Sequence, residues 1–450
     1  MSTPNSKSIY KARWVLPVDG EPIDDGRIVV EDGVIAGVLP AGPAHDGEVD
    51  FGDAILMPGF VNAHTHLEYT VQRGFLEDIP FFPWVRALTM SKALIDQGGW
   101  LLSARLGAME SIAGGVTTIG DNTDAGVTAR IAVKTGLRAV VFQEVFGIDD
   151  REPVEPIVEA LREKIGGLRQ HESNRVSIGV SPHAIYTVRP ALFDALGSDS
   201  AISSLPWSVH IAESPAESEL TMHGTGPFAE MYGRRGITWQ TPRSTPTAHA
   251  SRMGALTPST LAVHCVHQDA NDIDLVHASG ASIVHCPKSN GKLGDGWAPL
   301  AEWLASGVKV ALGTDSAVSN NTLDMFEEMR FAVLGQRARR SLVEGVTARD
   351  IVRIATLGGA EALGLADVTG SLTVGKRADL IAVDLGRAHS TPASDPYSAL
   401  VYSSRADDVV MTMVDGEVLY LSGEWRTIDA SSTLAEAREL RRTLEKNRIG

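Results

Sequence analysis

The chain has 450 residues, of which 43% are hydrophobic and 21% are charged, and its formal net charge is −16 at pH 7. This length accommodates one large barrel-type domain and a smaller one, and the composition is that of a globular chain rather than a disordered or membrane-embedded one. The acidic balance argues against nucleic acids and anionic membrane surfaces as partners.

Residues 1–57 are predicted to form short strands joined by tight turns. The segment 26–38 contains a strand, an Asp-Gly turn and a second strand, which is the signature of a β-hairpin. An apolar strand over 378–384 and a second hairpin over 409–420 repeat this pattern near the other end of the chain. We therefore predict that 1–57 and 366–431 together form one small β-sandwich domain.

Between these ends, residues 58–365 alternate apolar strands with helical stretches, which indicates βα units and a parallel sheet. The apolar run at 54–57 is predicted as the first strand. Seven further candidate strands lie at 115–120, 139–144, 176–180, 207–210, 261–264, 282–285 and 308–313. Eight strands make a (β/α)8 barrel of the TIM type, so we predict an α/β fold of that class. A C-terminal amphipathic helix is expected over 432–450.

The cysteines and the N-terminus bear on the compartment. Cys265 and Cys286 form neither a disulfide framework nor a CxxC metal-binding pair. Residues 1–7 contain no apolar signal core, and no apolar run approaches the roughly 20 residues that span a bilayer. We therefore expect a protein of the reducing cytoplasm.

Metal-ligating side chains recur at the carboxyl ends of the predicted strands. His64 and His66 are two residues apart, so on an extended strand both imidazoles point to the same side. Other strand ends carry His183, His210, His264, His285 and Asp315. One such histidine alone would more often be a structural residue of the core. Because all strand ends of a parallel barrel meet at one face, the repetition predicts a metal-dependent active site.

Several motifs make the chain resemble the amidohydrolase superfamily, in particular its branch of cytosine deaminase-like enzymes, adenosine-type deaminases and chlorohydrolases. The resemblance covers nearly the whole length of the chain. It rests on PGFVNAHTH (58–66), HIAES (210–214), HCVH (264–267), HCPKSN (285–290), LGTDS (312–316), NNTLDMFEEMR (320–330) and GSLTVGKRADLIAVD (370–384). The resemblance implies a (β/α)8 barrel and metal-dependent hydrolysis.

The resemblance also implies roles for individual residues. The implied ligands of one divalent metal are His64, His66, His210 and Asp315. Three imidazoles and a carboxylate suit zinc, with iron and manganese as alternatives. Relatives with two metals carry a bridging lysine on the fourth strand, and residues 176–180 contain none. Glu213 would be the general acid and base, His264 would orient the attacking water or polarise the leaving group, and Asp315 would share in catalysis.

Other residues match positions that contact the substrate in this branch. The implied contacts are His183, Trp84, Glu68, Glu144 and Arg189. Arg189 is either a ligand for an anionic group or a solvated arginine at a helix start. His285 is expected to line or support the pocket, and His267 is expected to be structural.

The constellation fits hydrolytic removal of the 6-amino group of an adenine nucleoside. Thioadenosine and S-adenosylhomocysteine deaminases usually carry an acidic residue two positions before a tryptophan, but here Phe82 precedes Trp84 in this way. The chain instead resembles amidohydrolase-type aminodeoxyfutalosine deaminases of menaquinone biosynthesis, notably in HTHLEYT (64–70), FFPWV (81–85) and HCPKSNGKLGDG (285–296).

Three other functions remain open at this point. The first is deamination of S-adenosylhomocysteine or methylthioadenosine, and the second is chlorohydrolysis or deamination of another ring, such as a triazine or guanine. The third is a scaffold that has lost its chemistry. A small molecule is the expected partner, and a homodimer is the expectation for assembly because such symmetry is common.

Overall fold

A barrel of eight parallel strands forms the centre of the protein. The computed structural model describes residues 7–448, and within them the barrel strands are hydrogen-bonded to one another in chain order. They are β1 (Phe60–Thr65), β2 (Val116–Thr123), β3 (Arg138–Val145), β4 (Val176–Pro182), β5 (Trp207–Ile211), β6 (Thr260–His264), β7 (Ser282–His285) and β8 (Lys309–Leu312). A parallel bridge between Thr65 and Asp315 joins the two ends of this sheet. The predicted TIM-type fold is confirmed.

Seven of the predicted strands correspond to β2–β8, but the prediction for the first strand is wrong. The apolar run at 54–57 lies in the strand Ala54–Pro58, which pairs antiparallel with Leu380–Asp384 outside the barrel. The chain enters β1 after Gly59, where an added Cβ would lie 2.0 Å from the side chain of Thr117. Every residue of Ala54–Pro58 is buried, so its apolar run looks like that of a barrel strand.

Helices surround the barrel and supply its connections. Those of six or more residues are Phe81–Lys92, Gln97–Ala113, Thr128–Thr135, Val154–Arg169, Pro190–Ser198, Pro215–His223, Gly226–Arg235, Pro246–Arg252, Ala270–Ser279, Pro287–Leu293, Leu300–Ala305, Met325–Arg340, Ala348–Ile354, Leu357–Ala362 and Ala430–Arg448. A 3₁₀ helix, Leu67–Gln72, follows β1 directly. Within residues 7–448, no helix is long and apolar enough to cross a membrane.

Three predictions fall partly outside the described residues. The predicted β-sandwich domain includes residues 1–6, which are not described. The expected absence of a signal core concerns residues 1–7, of which 1–6 are not described. The predicted C-terminal helix over 432–450 corresponds to Ala430–Arg448, and residues 449–450 lie outside the described part.

Segments from both ends of the chain build two further sheets. The larger has, in spatial order, Glu424–Trp425, Glu417–Leu421, Val409–Val414, Leu380–Asp384, Ala54–Pro58, Trp14–Val15 and Ile23–Asp24. The smaller has Val34–Leu39, Arg27–Glu31, Lys7–Lys11 and Val49–Asp50. One core of buried residues, which includes Ile28, Leu56 and Met411, is shared by the two sheets. The arrangement is that of two sheets packed face to face.

Both predicted hairpins are confirmed, and their turns lie against each other. Asp32 and Gly33 have φ angles of 52° and 76°, and Asp415 and Gly416 have φ angles of 55° and 78°, as type I′ turns require. A Cβ on Gly33 would lie 2.4 Å from the carbonyl oxygen of Asp415. Glycine is therefore needed at position 33 both for its φ angle and for this close approach.

A buried arginine connects the barrel to the outer sheets. Arg138, the first residue of β3, is 2% exposed and donates hydrogen bonds to Asp379 at 2.7 Å and to Asp415 at 2.9 Å. Arg138→Met would leave the buried carboxylate of Asp379 without the guanidinium that binds both of its oxygens, so we expect a loss of about 3 kcal/mol in the free energy of unfolding, measured with urea. Arg175→Met, which removes a more exposed partner of Asp415, should cost less. An equal loss of unfolding free energy in both variants would show that burial of the arginine does not determine its contribution to stability.

Candidate active site

The predicted ligand residues come together at the carboxyl end of the barrel. His64 lies in β1 and His66 directly follows this strand, and their ring centroids are 4.9 Å apart. His210 lies in β5, with its ring centroid 5.0 Å from that of His64. Asp315 follows β8. None of these four predicted ligand residues, together called the ligand cluster, is more than 7% exposed, so the group is buried.

The ligand atoms of this group face one another. Nε2 of His64 and Nε2 of His66 lie 3.7 Å and 3.6 Å from the same carboxylate oxygen of Asp315. Candidate ligand atoms of His64, His210 and His264 lie within 4.8 Å of one another. Both ring nitrogens of His64 and Nε2 of His264 are buried without a hydrogen-bond partner among the described residues. Because unpaired buried polar atoms are costly, these residues fit a divalent metal bound by nitrogen and oxygen.

Neighbouring groups orient the predicted ligand residues. Nδ1 of His210 donates a hydrogen bond to the backbone carbonyl of His183 at 2.6 Å, which leaves Nε2 available to a metal. Burial lowers the pKa of His210 well below 6.5 and so keeps its ring neutral. The hydroxyls of Ser289 and Ser319 donate to Oδ2 of Asp315 at 2.6 Å and 2.8 Å. The other oxygen, Oδ1, faces the histidines.

Backbone strain is concentrated at this face of the barrel. Ala212, His264, Cys265 and Asp315 have φ angles of 54°, 74°, 50° and 56°. This left-handed conformation costs a residue with a side chain about 1–3 kcal/mol, and it persists only where the surrounding structure imposes it. Its occurrence at the ends of β5, β6 and β8 is typical of a functional site.

A carboxyl group lies beside the ligand cluster on the loop after β5. Oε1 of Glu213 is 3.5 Å from Nε2 of His264, and Oε2 accepts a hydrogen bond from the hydroxyl of Tyr186 at 3.2 Å. Burial raises the pKa of Glu213 above its usual value of 4.5. His264 is fixed on its other side, where Nδ1 donates to Oδ1 of Asn290 at 2.8 Å. A carboxyl group in these surroundings is suited to general acid and base chemistry.

Glu217 holds the backbone that carries Glu213. Its carboxylate oxygens accept hydrogen bonds from the N–H groups of Ala212 at 2.9 Å and Glu213 at 2.8 Å. Glu217→Gln would turn an amide donor toward an N–H, so we expect the free energy of unfolding to fall by about 1–3 kcal/mol. Because Glu213 would also shift, turnover should fall by about ten- to a hundredfold. Urea unfolding and steady-state kinetics measure the two effects.

The control for this prediction is the exposed Glu219 on the same helix. Glu219→Gln should change neither the free energy of unfolding nor turnover. If Glu217→Gln lowered stability and left turnover unchanged, Glu217 would have a structural role only.

Two predicted substrate contacts lie beside the ligand cluster. The ring centroid of His183 is 4.7 Å from that of His210. Oε1 of Glu144 is 4.0 Å from Nε2 of His183 and has no hydrogen-bond partner among the described residues. Burial raises the pKa of Glu144 to about 8. A third predicted contact, Trp84, is 7% exposed within the helix Phe81–Lys92, and its Nε1 has no hydrogen-bond partner among residues 7–448.

Two other predicted contacts are engaged with the backbone of nearby loops. Glu68 accepts a hydrogen bond from the N–H of Asp124 at 2.8 Å, in the loop after β2. Arg189 donates to the backbone carbonyls of Asp149 and Glu152, in the loop after β3. Both side chains therefore hold loops in place, and their contact with a substrate stays a prediction.

The remaining strand-end histidines lie outside the group of mutually close ligand atoms found among the described residues. The ring of His285 packs edge-on against Trp303, with centroids 5.6 Å apart, and burial lowers its pKa to about 3. Burial also lowers the pKa of His267, whose Nε2 has no partner in the described part of the chain.

Sequence reasoning missed several polar residues of this site. Asn290 lies in the motif HCPKSN, Glu217 lies three residues after HIAES, and Tyr186 lies three residues after His183. No sequence pattern shows which atoms these residues contact. Asp295 is 2% exposed, and burial together with the charges of Glu213 and Glu217 raises its pKa to about 9. The only sequence signal for Asp295 is an acidic residue between two glycines just after a strand-end motif.

Known proteins share both the sequence pattern and the fold. The Amidohydrolase family profile matches residues 55–419. A 5-methylthioadenosine/S-adenosylhomocysteine deaminase from Moorella thermoacetica is 33% identical over 441 residues, which cover 96% of this chain and 98% of the relative. More than two thirds of both chains are therefore aligned.

Two solved structures superpose over nearly the full length. An adenosine deaminase from Xanthomonas campestris with bound zinc has a TM-score of 0.86 and 29% identity, over 97% of this chain and 98% of that one. An atrazine chlorohydrolase from Arthrobacter aurescens TC1 complexed with zinc has a TM-score of 0.83 and 23% identity, over 96% and 99%. The latter shows the fold alone. The chain belongs to the Amidohydrolase family and is a hydrolase that acts on carbon–nitrogen bonds.

Proposed function

We propose that this protein is a metal-dependent deaminase that releases the 6-amino group of an adenine nucleoside as ammonia. The observation that carries this proposal is the pair Glu213 and His264, 3.5 Å apart and beside a group of buried candidate ligand atoms. Similarity to a methylthioadenosine/S-adenosylhomocysteine deaminase and to an adenosine deaminase supports the substrate class. Zinc is the proposed metal because three imidazoles and a carboxylate suit it and because the similar adenosine deaminase structure holds it.

The side chains divide the reaction between them. Zinc held by the four ligand residues would supply a Lewis acid that lowers the pKa of a water molecule to about 7. Glu213 takes one proton from the attacking water and passes it to the ring nitrogen beside the amino-bearing carbon. His264, fixed by Asn290, orients the oxygen that adds to this carbon. The second proton of the water goes to the amino group, and the C–N bond breaks to release ammonia.

Within this class, the substrate we propose is aminodeoxyfutalosine, which would place the protein in menaquinone biosynthesis. The ring centroids of Phe82 and Phe228 are 4.7 Å apart, and those of Phe228 and Tyr186 are 4.4 Å apart. Tyr186 in turn contacts Glu213. A row of aromatic rings that ends at the proposed catalytic carboxyl suits a nucleoside with an aromatic substituent, which aminodeoxyfutalosine carries.

A second candidate is deamination of S-adenosylhomocysteine or methylthioadenosine. The 33% identity to such a deaminase over 96% of the chain favours it. Phe82, in the position where those enzymes usually carry an acidic residue, argues against it.

Ammonia release by metal-quantified protein tests these proposals. The substrates would be aminodeoxyfutalosine, S-adenosylhomocysteine, methylthioadenosine, adenosine, guanine and a chlorotriazine, with chloride release followed for the last. A kcat/KM that is highest for aminodeoxyfutalosine would support the first candidate, and one that is highest for the sulfur-containing nucleosides would support the second. Activity on guanine or the triazine alone would overturn the adenine-nucleoside proposal.

A further inference from the structure

Lys92 lies between two aromatic rings at the edge of the active site. It is the last residue of the helix Phe81–Lys92. Its Nζ is 4.7 Å from the ring centroid of Tyr69 and 6.0 Å from that of Phe146. The side chain is 24% exposed, so its charge is accessible from solvent and is only partly screened. This ammonium group has no part in the proposed deamination chemistry.

Both rings connect Lys92 to the ligand cluster. Tyr69 stacks on His66, with ring centroids 5.3 Å apart and planes 15° from parallel. The ring centroid of Phe146 lies 4.7 Å from that of His183. Lys92 therefore lies between two aromatic rings that each pack against a histidine of the candidate site. For a nucleoside whose base reaches the buried predicted ligand residues, the ribose-linked substituent would extend toward solvent, and Lys92 is a partly exposed cation beside these residues.

Lys92 has a single ion-pair partner within residues 7–448, and a second lysine shares it. Its one ion-pair partner among the described residues is Asp124, at 3.3 Å, and the same carboxylate also faces Lys164 at 3.7 Å. Burial raises the pKa of Glu144, whose carboxyl group faces His183, to about 8. Glu68 is committed to backbone N–H groups. Lys92 and Lys164 thus share one carboxylate partner.

We propose that Lys92 binds a carboxylate on the ribose-linked substituent of the substrate and so selects carboxylate-bearing adenine nucleosides over uncharged ones. This inference rests on the proposed deaminase function. A single ammonium group bordered by Asp124 and Glu144 suits a singly charged carboxylate. A phosphate dianion would need more donors. Aminodeoxyfutalosine and S-adenosylhomocysteine both belong to the selected class, whereas methylthioadenosine and adenosine do not.

Paired substrates with Lys92→Gln test this inference. We expect kcat/KM for aminodeoxyfutalosine and S-adenosylhomocysteine to fall by at least about tenfold, because a hydrogen bond to a charged group is lost. The value for methylthioadenosine should change by less than about threefold. Lys92→Arg should restore most of the loss. Lys164→Gln is the matched control, because it removes the other partner of Asp124 and should affect both substrate types alike.

The outcomes separate this inference from the proposed function. If the wild-type protein deaminates methylthioadenosine and Lys92→Gln lowers all substrates equally or none, the role of Lys92 is overturned and the deaminase proposal stands. If the wild-type protein deaminates no adenine nucleoside, the proposed function fails and the role of Lys92 fails with it. Melting temperatures within about 2 °C of wild type would exclude misfolding as the cause of any loss.

Discussion

Glu213→Gln is expected to keep the fold and the bound metal while turnover of the nucleoside falls by about a hundred- to ten-thousandfold. The amide of glutamine has nearly the same size and can still accept the hydrogen bond that Tyr186 donates at 3.2 Å. It cannot take a proton from water and pass it to the purine ring. Ammonia release gives kcat, and mass spectrometry of the metal gives the metal content of the same preparation.

The exposed Glu219, six residues further along the chain, provides the matched control for this variant. Glu219→Gln makes the same change in charge on the neighbouring helix and should leave kcat at the wild-type value. A Glu213→Gln variant with near-wild-type turnover would remove Glu213 from the proposed mechanism. Loss of metal in that variant would show that the carboxyl contributes to the metal site instead.

The placement of the ligand residues was predictable because strand geometry and barrel topology leave little freedom. Residues two apart on an extended strand share a face, as His64 and His66 do. Carboxyl ends of parallel strands converge, and this brings His210 and Asp315 to the same point although 105 residues separate them. Both arguments need only one observation from the sequence, which is that each polar residue lies at the end of an apolar run.

The first barrel strand could not be located from the sequence for the opposite reason. Ala54–Pro58 and β1 are consecutive extended segments, and both are buried throughout. Ala54–Pro58 belongs to the outer sheet because it pairs with Trp14–Val15 and with Leu380–Asp384, the latter more than 300 residues away. Local hydrophobicity contains no information on that partner.

Polar contacts made across the fold were equally out of reach. The sequence places Glu68 and Arg189 beside site motifs, yet both side chains bind backbone groups of loops. Glu217 and Lys92 lie in none of the motifs. Glu217 nevertheless binds the backbone of Glu213, and Lys92 lies beside the ring of Tyr69. The partner of a charged side chain is decided by tertiary packing, which a single sequence does not show.

His66→Ala is expected to remove the metal from the purified protein and with it the deaminase activity. His66 contributes one of the atoms that lie within 4.8 Å of each other around Asp315. Groups that merely orient a metal ligand change metal affinity by about ten- to a hundredfold, so loss of a ligand itself should cost more. Without the metal, several kcal/mol of transition-state stabilisation disappear, and turnover should fall by at least about a thousandfold.

The melting temperature separates loss of metal from loss of fold. A ligand that binds only the folded state stabilises it by about 2.7 kcal/mol when its concentration is a hundred times its dissociation constant. A chelator should therefore lower the melting temperature of the wild-type protein, whereas His66→Ala should melt at the same temperature with and without the chelator. His249→Ala removes another buried histidine, 8% exposed and outside the ligand cluster, and should keep both the metal and the response to the chelator. If His66→Ala retained one metal per chain, the assignment of His66 as a ligand would be wrong, and the metal would have to be held by the remaining group of His64, His210 and His264.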